Sequence, residues 1–372
     1  MSEARIVLFG ATGYTGRLAA RALVADGARP VLAARDRGRL DTLAAELGGL
    51  ETAVANVGDP RSVRALLERG DVLLTTVGPF MRYGEAALAA AVDAGAHYVD
   101  STGESPFIRA VFERWGPRAA DAGCALLPAF ASDWVPGNLA GALALREAGE
   151  GAGVTRIEAA YFATGIPFNA GAMSGGTRAS VMTSMLDPSY AFREGRLVSE
   201  RAARHVRHFE LAPGERASAV SVGGTEQFVL PRLDRGIRDV EVYLGWLGPA
   251  SRAMQVLSAA SAPVLRVHAV KRTLDGVLGR VVKGSTGGPD AAARERTGSV
   301  VLGAAYDAAG AKLAGVRLEG IGPYDFTGPM LAWGARAAAA GKLSGVGALG
   351  PVDGFGLEVL QDGVAGAGIR LA

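Results

Sequence analysis

Three glycines, Gly10, Gly13 and Gly16, recur at every third position of IVLFGATGYTGR (residues 6–17), directly after a short apolar run and directly before a stretch with helical periodicity. Glycine at such a turn supplies backbone freedom, and the missing β-carbon lets a bulky anion approach the main chain. A helix beginning near Tyr14 would present open N–H groups and roughly +0.5 of an elementary charge to that anion. Thr12 and Thr15 add hydroxyl donors. Between a strand and a helix, this G-x-x-G-x-x-G spacing predicts a site for a dinucleotide's pyrophosphate. The contacts to the adenosine end should follow the second strand, where VLAARDRGRL places Arg35, Asp36, Arg37 and Arg39. A guanidinium makes paired bonds to a 2′-phosphate and stacks on adenine, so Arg35 as main reader and Arg37 as helper predict NADP(H). Asp36, were it turned inward, would favour NAD instead. Arg39 reads as part of a solvated helix face. Gly78 and Pro79, followed by Phe80, form a stiff turn suited to lining the ribose and nicotinamide, with a plain strand-ending turn as the alternative.

The elements that must hold these residues are legible from periodicity. RIVLF (5–9), PVLAA (30–34), ETAVA (51–55), DVLLTT (71–76), HYVDS (97–101) and CALLP (124–128) read as strands. The stretches between them carry apolar residues at helical spacing, and several end in glycine. This alternation predicts an α/β fold: an N-terminal Rossmann doubly wound parallel sheet whose apolar strands are buried on both faces. From about Val154 the rhythm changes. VTRIEAAYFATG and RDVEVYLGWLG alternate, and residues 298–322 read as two strands around an AAGA turn. A second, α+β domain with a mainly antiparallel sheet follows from that pattern. Helices are expected over 174–187, over 251–282 and from near Phe326, a polar loop over 284–298, and a short helix in the tail.

At 372 residues, with 49% apolar and 20% charged side chains, the chain exceeds one typical domain and has a globular balance. A formal net charge of +2 argues against a large nucleic-acid footprint. The single cysteine, Cys124, lies in an apolar run, which excludes an internal disulfide framework and fits a reducing compartment. The start MSEAR and the lack of about 18 uninterrupted apolar residues predict a cytoplasmic protein with neither secretory signal nor spanning helix. His97, His205, His208 and His268 form no ligand pattern, so no metal is expected.

Several stretches together resemble the saccharopine dehydrogenase-like reductases, including the branch called trans-acting enoyl reductases. They are GATGYTG (10–16), VGPFMRYGEAALAAAVDAGAHYVDSTGE (77–104), SDWVPGNLAG (132–141), GAMSGGTRAS (171–180) and GPYDFTGPM (322–330). The resemblance implies a Rossmann NADP-binding domain over 1–133 and a substrate and dimerisation domain over 134–345. It also implies a segment, 346–372, returning to the first domain, and hydride transfer to a C=C or C=N bond. A homodimer is expected. Relatives often carry glycine and phenylalanine just before the Asp that matches Asp133, and a second Asp where Asn138 stands. Here the stretch reads PAFASDWVPGNL, and a lost carboxylate alters contacts to an amino-acid ligand.

In hydride chemistry the protein orients the substrate and supplies a proton. Enoyl reduction places hydride on the β-carbon, needs the enolate stabilised and then needs a proton at the α-carbon; imine reduction needs its nitrogen protonated. Asp133, just after the sixth strand, is the first candidate for that proton, with capping of a helix starting near Val135 as its competing role. HYVDSTGE adds Tyr98 and Asp100 as catalytic candidates and Thr102 and Gly103 at the nicotinamide end. Glu104 suits the first turn of the next helix. Ser174, Gly175, Gly176 and Thr177 begin a helix, with Arg178 one residue inside; their N–H groups could receive a carbonyl or carboxylate, or simply form a capped turn. Met173 and Trp134 join them as substrate-binding candidates. The expectation is an NADPH-dependent reductase of an enoyl group on an acyl or polyketide-type small molecule, free or carrier-bound. The alternatives are a saccharopine-type imine reductase and an NADP-binding regulatory protein without turnover.

Overall fold

The computed structural model describes residues 4–165, 174–175, 188–246, 248–265 and 287–372. The six apolar runs become β1 (Ile6–Phe9), β2 (Val31–Ala34), β3 (Thr52–Val54), β4 (Val72–Thr75), β5 (His97–Asp100) and β6 (Ala125–Leu127). With a two-residue strand, Gly347–Ala348, they form a sheet in the order Gly347–Ala348, β6, β5, β4, β1, β2, β3. Every neighbouring pair is parallel. The chain leaves β1 toward one edge and returns beside it toward the other, so the crevice for a ligand opens at the carboxyl ends near β1. All residues of β1, β2 and β4 are buried, as helices on both faces require. Helices α1 (Tyr14–Ala25), α2 (Arg37–Glu46), α3 (Pro60–Arg64) and α4 (Phe80–Ala94) follow the first four strands in turn.

The chain divides into two units. The first comprises residues up to Gly103, Phe107–Val135 and Pro323–Ile369; the second comprises Glu104–Pro106, Pro136–Gly322 and Arg370–Ala372. Residues 323–345, expected in the substrate domain, therefore belong to the cofactor unit. The helix Pro323–Ala339 explains why. Its small residues let it lie against α1 so closely that a β-carbon on Gly328 would stand 3.1 Å from the Leu18 backbone. An ion pair, Arg336 to Asp26 at 2.6 Å, closes the far end of that helix pair.

The second unit is built on β7 (Arg156–Thr164), β8 (Pro188–Arg193), β9 (Arg196–Arg201), β10 (Val206–Ala212), β11 (Glu215–Ser221), β12 (Asp239–Leu244), β13 (Gly298–Tyr306) and β14 (Lys312–Ile321). The sheet runs β10, β11, β12, β7, β13, β14 and ends on Ile369–Leu371, with β8 pairing β12 and β9. Among β7–β14 the neighbours are antiparallel except β12 and β7, which are parallel. That pair sets Glu158 opposite Glu241, a like-charge juxtaposition that would destabilise an unaided ladder. Guanidiniums offset it: Arg207 pairs with Glu158, Arg193 with Glu241, and Arg156 lies 3.5 Å from Glu241.

Strands β8–β11 stand where periodicity gave no strand. Within 284–298, read as a loop, Ala291–Glu295 is helical because Asp290 caps it, its carboxylate accepting from Ala293 N at 2.8 Å. Of the helix expected over 174–187, only Ser174 and Gly175 fall among the described residues. Among the described residues no helix is long and apolar enough to cross a membrane. None of their His, Cys, Asp and Glu side chains gather in a group of three or more fit to hold a metal ion. Cys124 is buried, and burial pushes its thiol up to about 11.

Candidate functional site

The opening turn is packed too closely at two of its glycines for any side chain. Gly10 ends β1 at φ +90°, and a β-carbon there would lie 2.8 Å from Val77 Cγ2 and 2.9 Å from Thr76 Oγ1. Gly16 sits in the first turn of α1, where a β-carbon would lie 2.2 Å from the Gly10 carbonyl oxygen. Gly13, the residue before α1, gives no side-chain cap. The first-turn N–H groups at Thr15 and Gly16 thus lie at the positive end of the helix dipole with no capping side chain from Gly13. Tyr14 packs edge-on against Tyr324 with centroids 5.2 Å apart, and Thr12 and Thr15 are half-buried beside the turn. A cradle of this kind, which two β-carbons would fill, fits a pyrophosphate.

After β2 the side chains sort themselves. Asp36 is committed to capping α2, its Oδ1 accepting from Arg39 N at 3.0 Å, so it is not turned toward a ribose. Arg35 and Arg37 are exposed and make no hydrogen bond or ion pair among the described residues. Arg39 is exposed as expected, but its guanidinium also donates to the Thr12 carbonyl at 3.0 Å and so ties α2 to the glycine turn. Arg35 and Arg37, two exposed guanidiniums on either side of a carboxylate held as a helix cap, fit a 2′-phosphate.

At the next crevice wall, Gly78–Pro79 is a cis peptide and Pro79 leads into α4, whose first residue, Phe80, packs against Phe107 at 5.6 Å. Beyond β5, Thr102 is fully buried and Gly103 half-buried. Tyr98 and Asp100 are both fully buried and point at each other, Tyr98 Oη donating to Asp100 Oδ2 at 2.7 Å. Asp100 Oδ1 accepts from Thr102 N at 2.8 Å and from Ala129 N at 2.7 Å. Burial, with the Asp100 charge behind it, raises the Tyr98 hydroxyl well above its ordinary value.

Asp133 lies in the loop after β6. Its Oδ1 is shut off from water and has no hydrogen-bond partner among the described residues, and no bond joins its carboxyl to the helix Val135–Ala148. The capping role is therefore not realised. Desolvation alone pushes this carboxyl up to about 7. Its Oδ2 faces Gly103, where a built β-carbon would lie 3.6 Å away. The Asp133–Trp134 peptide is cis, and Trp134 is buried.

In the second unit Ser174 is buried and Gly175 N donates to Gly287 O at 3.2 Å. Met173, Gly176, Thr177 and Arg178 lie outside the described residues. Glu104 directly precedes the helix Ser105–Ala110 and is fully buried there. The same unit contains a polar group that periodicity did not reveal. Tyr161 Oη donates to Glu226 Oε1, both residues being buried, and Asn138 Nδ2 donates to Thr225 Oγ1 at 2.7 Å. Gly137 makes room for the pair, since a β-carbon there would lie 2.0 Å from Tyr161 Oη and 2.7 Å from Glu226 Oε1. The neighbouring turn is held by side chains too: Ser105 Oγ donates to Gly223 O at 2.6 Å, and Tyr190 Oη to Gly224 O at 2.8 Å. The sequence signal for it was GGTEQF, two glycines before Thr and Glu at a helix start.

Comparison with known proteins agrees with this geometry. Residues 6–127 match the family model of the saccharopine dehydrogenase NADP binding domain. A trans-acting enoyl reductase of Mycobacterium ulcerans is 38% identical over 143 residues, a match covering 37% of this chain and 34% of that protein. This chain thus spans about a third of that relative's length in the match. A putative trans-acting enoyl reductase of Mycobacterium tuberculosis is 32% identical over 337 residues, covering 79% of this chain and 78% of the relative. Among solved structures, the apo saccharopine dehydrogenase (L-Glu forming) of Saccharomyces cerevisiae aligns over 99% of both chains with a TM-score of 0.61 at 12% identity, a likeness of fold. The cofactor of this chain is accordingly NADP(H). The chain belongs to the saccharopine dehydrogenase-like NADP-dependent reductases, in their trans-acting enoyl reductase branch.

Proposed function

We propose that this oxidoreductase reduces an activated C=C bond, the enoyl group of an acyl-type substrate, and that Asp133 supplies the proton. The observation that carries the reading is the Asp133 carboxyl: half-buried, with Oδ1 shut off from water and without a hydrogen-bond partner, set beside Gly103, and protonated up to about pH 7. A carboxyl matched to neutral pH is suited to general acid catalysis. Bound NADPH would supply a hydride for the β-carbon, with the electron pair of the double bond displaced toward the carbonyl oxygen. Asp133 then gives its proton to the α-carbon and is reprotonated from water. Thr102 and Gly103 line the nicotinamide end, Arg35 and Arg37 read the 2′-phosphate, and Gly10 to Gly16 hold the pyrophosphate. Trp134, the residue after Asp133, receives the acyl portion. A carrier-bound substrate belongs to the same reading, and the relatives are named trans-acting enoyl reductases.

The test follows NADPH oxidation with crotonyl thioesters, free and carrier-bound, and with a keto acid plus an amine. Turnover with the thioesters is expected, and in Asp133→Asn it should fall by about 10²–10⁴-fold while NADPH affinity stays within about twofold. Turnover with the keto acid and amine alone would transfer the chain to imine reduction. Wild-type-like turnover in Asp133→Asn would remove Asp133 as the donor.

A further inference from the structure

Two loops meet the reacting end of the cofactor in the reading above, the one carrying Gly103 and the one carrying Asp133. Both hang from one side chain. Asp100 Oδ1 accepts from Thr102 N at 2.8 Å, one residue before Gly103, and from Ala129 N at 2.7 Å, four residues before Asp133. The Asp100 carbonyl accepts from Phe130 N at 2.7 Å, and Tyr98 Oη holds the other carboxylate oxygen at 2.7 Å. Asp100 and Tyr98 are wholly buried, so these are charge-assisted bonds undiluted by water.

The Asp133 loop needs such a tether. Ala129 stands at φ 57°, a left-handed conformation that an alanine keeps only when its surroundings hold it there. The rest of the loop folds on itself: Trp134 N donates to Ala129 O and Val135 N to Ala131 O, each at 3.1 Å, and Ser132 N reaches Thr327 Oγ1 at 3.3 Å. Weakening the Ala129 bond loosens the start of this segment, which Phe130 N and Ser132 N otherwise hold to the Asp100 carbonyl and to Thr327, and with it the set of the Asp133 carboxyl against Gly103.

We infer that Asp100, with its carboxylate oriented by Tyr98, is the positioning residue that sets Asp133 against Gly103. Tyr98 and Asp100 act through the two loops and do not touch the substrate. This rests on the proposed role of Asp133, yet the two claims fail separately. Asp133→Asn with undiminished turnover overturns the donor, whereas the tether is judged without any substrate.

The experiment titrates the Asp133 carboxyl by carbon NMR in protein labelled with 13C-aspartate, the resonance being assigned by its loss in Asp133→Asn. In Asp100→Asn the oxygen that accepts from Thr102 N and Ala129 N loses its charge, both bonds weaken, and the loops should loosen. The Asp133 midpoint should fall by about one pH unit or more toward an ordinary carboxylate as water reaches it. NADPH should bind about threefold or more weakly, read by fluorescence titration. Tyr98→Phe, which keeps both backbone bonds to Asp100, should move both readouts the same way by less, and it carries the test if Asp100→Asn does not fold. Tyr190→Phe removes another buried hydroxyl bond, to Gly224 O in the second unit, and should leave the midpoint in place. An Asp133 midpoint unmoved in the folded Asp100 and Tyr98 variants, or moved equally by Tyr190→Phe, overturns the inference.

Discussion

Burial of the Asp133 carboxyl makes a stability prediction that needs neither substrate nor cofactor. The carboxyl is raised from 3.8 to about 7 because its charged form has lost water and gained no partner. At ~1.4 kcal/mol per pH unit, ionising it in the folded protein costs about 4 kcal/mol more than in the unfolded chain. The unfolded state releases this proton near 3.8 and the folded state near 7, so between those values the unfolded state binds fewer protons and stability falls as pH rises. Below the window both states are protonated and the penalty is absent; above it both are ionised and the penalty is complete. Asp133→Asn removes the titration and keeps the shape. Urea unfolding of both proteins, followed at steps across this window, should give similar stability at its acidic end. The variant's advantage should then grow with pH, reach about 4 kcal/mol at most near neutrality and stay level above. Other titrating groups cancel in the comparison. A difference that is constant from acid to neutral pH would refute the claim that this carboxyl is buried without compensation.

Two further predictions separate roles that lie close together. Arg35→Ala should weaken NADPH by roughly 1.5–3 kcal/mol with NADH little changed, because a charged contact to the 2′-phosphate is lost. Arg39→Ala, which frees the Thr12 carbonyl, should weaken NADPH and NADH by a similar and smaller factor; fluorescence titration reads both, and an Arg39 effect confined to NADPH would make it a phosphate reader instead. Gly137→Ala places a methyl group against Tyr161 Oη and should lower stability by about 1–3 kcal/mol in thermal unfolding. Adding Tyr161→Phe should recover part of that loss, and strictly additive losses would mean that the clash is not with the hydroxyl.

What was legible in the sequence was what is local along the chain. Apolar runs of four to six residues gave β1 to β6 within a residue or two, and glycine spacing gave the turn between β1 and α1. Asp133 could be singled out because it follows the sixth strand, where an open parallel sheet binds its ligands. Three features were not legible, each for a physical reason. In the charged, alanine-containing stretch from Pro188 to Ser221 the strands carry alternation diluted by arginine and glutamate, as in β10, VRHFELA, and their pairing is set by tertiary contacts. Tyr161 and Glu226 stand 65 residues apart, so their bond leaves no trace in spacing. Arg39 looked like a surface residue because its acceptor is a backbone carbonyl 27 residues upstream, and a carbonyl has no residue type to read.

The cofactor unit draws its last helix and its outermost strand from beyond residue 322. A growing polypeptide therefore leaves the ribosome with the side of α1 that contains Leu18 still bare, and it stays bare while the whole second unit is being synthesised. Nucleotide capture becomes a late event in the life of the nascent chain. A fragment cut after the sixth strand would carry every glycine of the cradle and still be a sticky half-domain, whereas the second unit takes most of its residues from one unbroken stretch, Pro136–Gly322.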